Sequence, residues 1–270
     1  MEIYTPFNQH TGKKIILAIA AHQDDIELMA FSGIYKTIKD PDYGFIAVVC
    51  SDGRNSPRLG QFADYTDEMM MGCRRKEQIE ASELGQYEKL YFLDYTSEEC
   101  RKFDNQLVED LVKIILKIKP EIIMTHNPMD KHDTHIGVAV HVIQALKIIK
   151  EKFTPEQILG CEVWRGLDWI DDEDKVVLDC GDEPQLQLDL LNVFVSQVVG
   201  GKRYDTAGVG RRYANATFFA SHACDNFQMI NYAIDLKPLI DNDKLSLEEY
   251  CLSYINKFKQ NVSSAIERTK

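Results

Sequence analysis

The strongest constraint on how this chain folds is a repeated pattern. An apolar run of strand length stops on a polar residue, and a segment of helical periodicity follows. The runs cover residues 15–21, 45–50, 89–93 and 121–125. Such continuous Val/Ile/Leu/Ala runs suit strands buried on both faces. The intervening segments 26–39, 68–84, 107–119 and about 132–150 carry apolar stripes at helical spacing and end on Asp40-Pro41, Gly85 or Pro120. Strands alternating with helices predict βαβ units, and so an α/β fold with a Rossmann-like, doubly wound, mostly parallel sheet. Beyond residue 150 the pattern changes. Residues 160–164 and 175–178 read as strands that a hairpin would join, 185–198 as a helix, 200–213 as an irregular Gly/Arg-rich stretch, and 245–268 as an amphipathic terminal helix. No linker forces a second unit, so the reading is one domain over residues 1–270. Its core spans about 14–198, and a C-terminal α+β extension spans about 199–270.

In open parallel sheets, ligands bind in the crevice outside the carboxyl ends of the strands. In this chain each strand ends on candidate chemistry: His22, Asp24 and Asp25; then Asp52 and Arg54; then Asp94; then His126. His22 and Asp25 are three apart, so a turn can aim both at one ion while Asp24 stays free as a base. Helix capping by the Asp pair is the alternative. His132 and His135 repeat the three-residue spacing at a helix start. Zinc sites that keep an open position use three protein ligands, often mixed His and carboxylate. His22, Asp25 and one of these histidines supply that set, and the other histidine is left for acid–base or oxyanion work. His126 reads as supporting the pocket, His141 as core or surface, and His222 as packing. The polar loop 55–65 is long enough to form a rim or lid.

The net charge of −12 argues against a nucleic-acid partner, which needs a basic footprint. The seven cysteines are scattered without a C-x-x-C pair, as in reduced cytosolic proteins. No apolar run approaches the roughly 20 residues that cross a bilayer, and residues 1–12 hold no apolar leader core. The expectation is a cytoplasmic protein with no membrane or nucleic-acid partner; the acidic balance speaks for solubility, and a homo-oligomer is left open.

Ala21-His22-Gln23-Asp24-Asp25 resembles the AHPDD signature of the LmbE-like, or PIG-L, N-acetylglucosaminyl deacetylases, and His132-Asp133-Thr134-His135 resembles their HPDH signature. Ser51-Asp52-Gly53, Arg74-x-x-Glu77 with Leu84-Gly85, and Ser196-Gln197 are similar to intermediate marks of that family. Trp164-Arg165 and Gly200-Gly201-Lys202-Arg203-Tyr204 resemble stretches of a bacterial subgroup. The resemblance implies zinc, or another divalent ion such as Fe2+, held by His22, Asp25 and His135. It implies Asp24 as general base, His132 as oxyanion partner and proton donor to the leaving amine, and an N-acetylated sugar as the small-molecule substrate. It also implies that Arg74 and Asp94 face sugar hydroxyls, with Arg54 at the rim; an intrahelical pair of Arg74 with Glu77 is the competing reading. Three positions depart from the family pattern. Gln23 stands for Pro, Ile26 stands for a Glu that Glu27 would have to replace, and Thr134 stands for the Asp that orients and charges the neighbouring imidazole. With no substitute carboxylate for Thr134, His132 would protonate less readily and turnover would fall.

Overall fold

The computed structural model describes residues 1–6 and 13–270. Residues 7–12, part of the N-terminal stretch read above as lacking a leader core, lie outside the described residues. The first half alternates as the runs require: β1 (Glu2–Tyr4), β2 (Lys14–Ala20), α1 (Asp25–Met29), α2 (Phe31–Lys39), β3 (Tyr43–Ser51), α3 (Asp67–Leu84), β4 (Lys89–Tyr95), α4 (Ser97–Arg101), α5 (Asn105–Ile118), β5 (Ile122–His126) and α6 (Asp133–Ile149). The second half comprises β6 (Gln157–Cys161), β7 (Val176–Asp179), α7 (Pro184–Asn192), α8 (Val195–Val198), α9 (Tyr204–Thr217), β8 (Ile230–Asp235), α10 (Lys237–Asp241) and α11 (Leu247–Arg268).

One sheet runs in the order β1-β4-β3-β2-β5-β6-β8-β7. Its five central strands, β4 to β6 in that order, are parallel, and β1, β8 and β7 join antiparallel to their neighbours. The pleat divides β2 between two cores. Leu17 and Ile19 pack toward α5 and α6, whereas Ile16, Ala18 and Ala20 pack toward α1 and α2. The chain leaves β2 for β3 and β4 on one side, then returns to β5 on the other. The crevice at the carboxyl ends of β2 and β5 is therefore the topological switch point. No helix among the described residues is long and apolar enough to cross a membrane.

Four expectations need correction. The helix over 26–39 is two helices, because the chain leaves helical geometry at Ala30 (φ −116°, ψ 18°). The buried Arg212 guanidinium bonds the Glu27 and Leu28 carbonyls there, satisfying acceptors at the end of α1. The helix over 185–198 also breaks, and the Glu77 carboxylate accepts from the Ser196 N–H at the start of α8. The strands at 157–161 and 176–179 do not form a hairpin, because β8 lies between them. Residues 204–217 are helical rather than irregular: Asp205, Val209, Arg212, Asn215 and Ala216 form the inward face of α9, and three of these five are polar or charged, which hid the stripe.

Candidate metal and catalytic site

The turn between β2 and α1 sends two adjacent carboxylates in different directions. Asp24 sits in the left-handed region (φ 87°), a costly conformation for a residue with a Cβ. Its N–H donates to Gln78 Oε1 at 3.2 Å, and its Oδ2 accepts from Arg74 Nη2 at 2.7 Å. Asp25 turns the other way. Its Oδ2 accepts from the His22 N–H at 2.8 Å and lies 3.1 Å from His22 Nδ1 and 3.2 Å from His135 Nε2. His135 Nε2 is in turn 3.3 Å from His22 Nδ1. Two family departures lie in or beside the same turn. The Gln23 amide donates to the Ser51 carbonyl at 3.1 Å, anchoring the loop without proline. Glu27, beside Ile26, is buried and accepts from Gln78 and Tyr87.

The triangle formed by His22 Nδ1, Asp25 Oδ2 and His135 Nε2 tests whether these residues fit a metal ion. Three donors about 2.0–2.1 Å from a tetrahedral ion stand about 3.3 Å apart. The observed separations of 3.1, 3.2 and 3.3 Å match that spacing, and the three atoms form one of two clusters of metal-ligand type among the described residues. The other comprises His126, Asp130 and His135. In it His126 Nε2 already accepts the Ala21 N–H at 2.9 Å, which uses the lone pair an ion would need. His126 instead stacks on His135 at a centroid distance of 3.9 Å and backs the triangle.

The electrostatics follow from these contacts. Burial opposes ionisation of Asp25, yet the imidazoles of His135 and His126 hold its carboxyl well below the usual range. Burial likewise opposes charge on His135, but Asp25 and Asp130 raise it to about 9. Burial pushes Asp24 up to about 7 against the pull of Arg74. Burial, with His135 and His22 nearby, lowers His132 to about 4.

Asp130 escaped the sequence reading. Its Oδ2 lies 3.2 Å from His135 Nδ1, and it also accepts the N–H groups of Lys131, Trp164 and Arg165. A carboxylate behind a ligand histidine fixes the tautomer and orientation of the ring. The available signal was an acidic residue in the loop between strand five and the His pair. The carboxylate missing at Thr134 is thus supplied, but to His135. His132 Nδ1 is buried with no hydrogen-bond partner among the described residues.

The cluster opens into a cavity of about 430 Å³. His22, Asp24, Asp25 and His132 lie at its base, and Asn55, Ser56 and Pro57 of the 55–65 loop form one rim, as the loop length predicted. Arg74 reaches it as well, and the intrahelical reading of that residue holds: it bonds Glu77 at 3.0 Å, while a second bond, to Asp24 at 2.7 Å, ties it to the cluster. Trp164, Lys202 and Tyr204 build the opposite wall, with the Lys202 ammonium 4.8 Å from the Trp164 ring and Tyr204 edge-on to it. Trp164 follows β6 at the same carboxyl edge, so the strand-end argument would have found it had that strand been ended at Cys161. The other two rim candidates are not brought into the cavity lining. Arg54 is folded onto the buried Asp52 at 2.6 Å, in a turn where Gly53 has φ 77°. Asp94 is bonded to Arg75 on the outer surface.

Residues 17–146 match the family model described as PIG-L, GlcNAc-PI de-N-acetylase. No curated protein sequence matches the chain. Among solved structures, the 4-carboxy-2-hydroxymuconate hydratase GalB of Pseudomonas putida is similar at 18% identity and TM-score 0.65, covering 83% of this chain and 96% of its own. The N,N'-diacetylchitobiose deacetylase of Pyrococcus horikoshii has the same identity and TM-score, covering 85% of this chain and 86% of its own. The zinc-inhibited form of teicoplanin deacetylase Orf2 is similar at 13% identity and TM-score 0.60, covering 82% and 97%. At these identities the likeness establishes a shared fold. Every residue of the cluster and its immediate supports, from His22 to His135, falls within the matched segment, and residues 17–146 are a PIG-L, LmbE-like domain.

Proposed function

We propose that this chain is a metal-dependent N-deacetylase acting on an N-acetylglucosamine-type sugar or sugar conjugate. The observation that carries the reading is the division of labour at the turn after β2. Asp25 joins His22 and His135 in a triangle of tetrahedral size, while the adjacent Asp24 is held outside it by Arg74 and lines the cavity. The family description names a de-N-acetylase, and two of the three structural neighbours named above are deacetylases, one of an N-acetylated disaccharide.

A divalent ion, zinc or Fe2+, would be held by His22, Asp25 and His135, and when bound it supplies Lewis-acid activation of water and of the amide carbonyl. Asp24 takes the proton of the attacking water as general base. Its raised affinity for protons, close to neutrality, suits both uptake and return, so it also delivers that proton to the leaving amine. His132 has no carboxylate partner and is lowered to about 4, so it acts as a neutral N–H donor to the developing oxyanion rather than as the proton source. Asp130 keeps His135 aimed at the cluster, and Arg74 keeps Asp24 away from it. The substrate would be a small N-acetylated sugar, its ring against Trp164 and Tyr204.

Metal analysis of the purified protein, combined with an amine-release screen over N-acetylated sugars, tests this reading. Stoichiometric metal with release from at least one sugar is expected. Metal without any release would favour the second reading, in which turnover is weak because Thr134 leaves His132 without a carboxylate. A marked gain in rate in Thr134→Asp would establish that second reading. Water addition to a carbon–carbon double bond, the chemistry in the name of the hydratase neighbour, is the outcome to assay next if both fail.

A further inference from the structure

One side of α11 faces the molecule and the other faces nothing described. Tyr250 and Tyr254 pack inward, Lys257 pairs with Asp171, Glu173 and Asp174, and Asn261 bonds Asp171. At roughly 100° per residue, Leu252, Ile255, Val262 and Ile266 fall on the opposite side with Phe258 beside them, and these five are 41–52% exposed. From Phe258 to the end of the helix every residue is exposed. A helical arm shorter than about 12–15 residues is marginal in water without a packed apolar face. Among the described residues, this arm meets the Trp169 edge against Phe258 and a few polar contacts.

We infer that α11 pairs antiparallel with α11 of a second copy of this chain, about a two-fold axis near residues 260 and 261. The charge and size pattern of the helix selects this occupant and this direction. In heptad terms Leu252, Lys259 and Ile266 share one seam position, and Ile255, Val262 and Thr269 share the other. Parallel pairing stacks Lys259 on the partner's Lys259 in the middle of the seam. Antiparallel pairing sets Ile255 against the partner's Ile266 and Lys259 against the partner's Val262, where the lysine stem packs and its ammonium reaches water. The same register brings the bulky Phe258 to the partner's small Ala265, and the exposed Glu249 to the partner's Lys270. A two-fold axis repeats each of these contacts, so the patch is complementary to itself.

Sedimentation of the full chain should show a dimer. Ile255→Asp combined with Val262→Asp should yield a monomer that keeps its near-UV spectrum, with helix loss confined to the outer part of α11. Zero-length carboxyl–amine cross-linking of the dimer, read by mass spectrometry, should join Glu249 to Lys270. That link is intermolecular by necessity, since the two residues lie about 30 Å apart along one helix. A wild-type monomer at the highest soluble concentration, or a dimer that survives the double substitution, overturns the pairing. A dimer that yields no Glu249–Lys270 link overturns its antiparallel register.

Discussion

The PIG-L domain at residues 17–146 and the chain that follows it contribute to the site in different ways. The first supplies every group of the candidate metal triangle together with Asp24, Arg74, Asp130 and His132, placed at the carboxyl ends of β2 and β5 by the loops there and the first turns of α1 and α6, or by α3. The second supplies a wall, Trp164, Lys202 and Tyr204, and a brace, Arg212. Arg212 is buried without a carboxylate bonded to it among the described residues. It donates instead to Asn231, Gln187 and the carbonyls of Glu27 and Leu28 at the end of α1. The helix that begins at Asp25 is therefore pinned at its far end by a side chain from 187 positions later in the sequence, the interval from Asp25 to Arg212. Chemistry is local in sequence, whereas the rigidity that aims it is not.

This contrast is open to test, beginning with the largest expected effect. Asp24→Asn removes the base but keeps a residue that tolerates left-handed backbone. Deacetylation should fall about 10²–10⁴-fold with metal content unchanged; an unaltered rate would end the assignment. Asp130→Asn should weaken metal affinity about 10–100-fold, measured by chelator competition, because His135 loses the carboxylate that fixes its ring. Arg212→Met should cost about 1–3 kcal/mol of stability in denaturant unfolding, since carbonyl and side-chain amide oxygens are left buried without their donor. Below the unfolding transition its bound metal should remain stoichiometric. If Arg212→Met instead releases metal from a folded protein, the separation between chemistry and brace fails.

The smallest expected effect is a pH slope. Burial pushes Glu27 up to about 7 in the folded chain, above its ordinary carboxylate value. The folded state therefore holds a proton that the unfolded state has released. Stability from this residue is fully present below the unfolded value of about 4.3 and is lost as pH rises through about 7. Glu27→Gln should flatten that decline in unfolding measurements taken between these limits. An identical slope in the variant would place the titration elsewhere.

Much of the architecture was legible because it rests on local rules. The apolar runs specified the parallel strands, and Gly85 and Pro120 marked the ends of α3 and α5. The two histidine clusters stood at strand ends, where open sheets bind ligands. What escaped depends on partners distant in sequence. The break at Ala30 is held by Arg212, the break before α8 by Glu77, and the place of β8 beside β6 by pairing across about 70 residues. Asp130 was missed because a carboxylate was sought between His132 and His135, whereas the one that bonds an imidazole precedes both and faces His135. Asp94 was a strand-end residue like the others, but Arg75 on α3 draws it outward. Strand ends nominate residues, and the packing of neighbouring helices decides which of them face the cavity.

The antiparallel edges of the sheet bear on behaviour at high concentration. The parallel strands at its centre are apolar on both faces, and an uncovered edge of such a sheet is a template for recruiting strands from other chains. One flank is closed by β1, three residues long and tied down by Arg75 to Glu2. The other ends in β7, four residues long and bordered by Asp171, Asp172 and Glu173. Short outer strands, each with an acidic residue, leave little backbone for a neighbour to extend, which disfavours edge-to-edge aggregation of a sheet whose interior is mostly apolar.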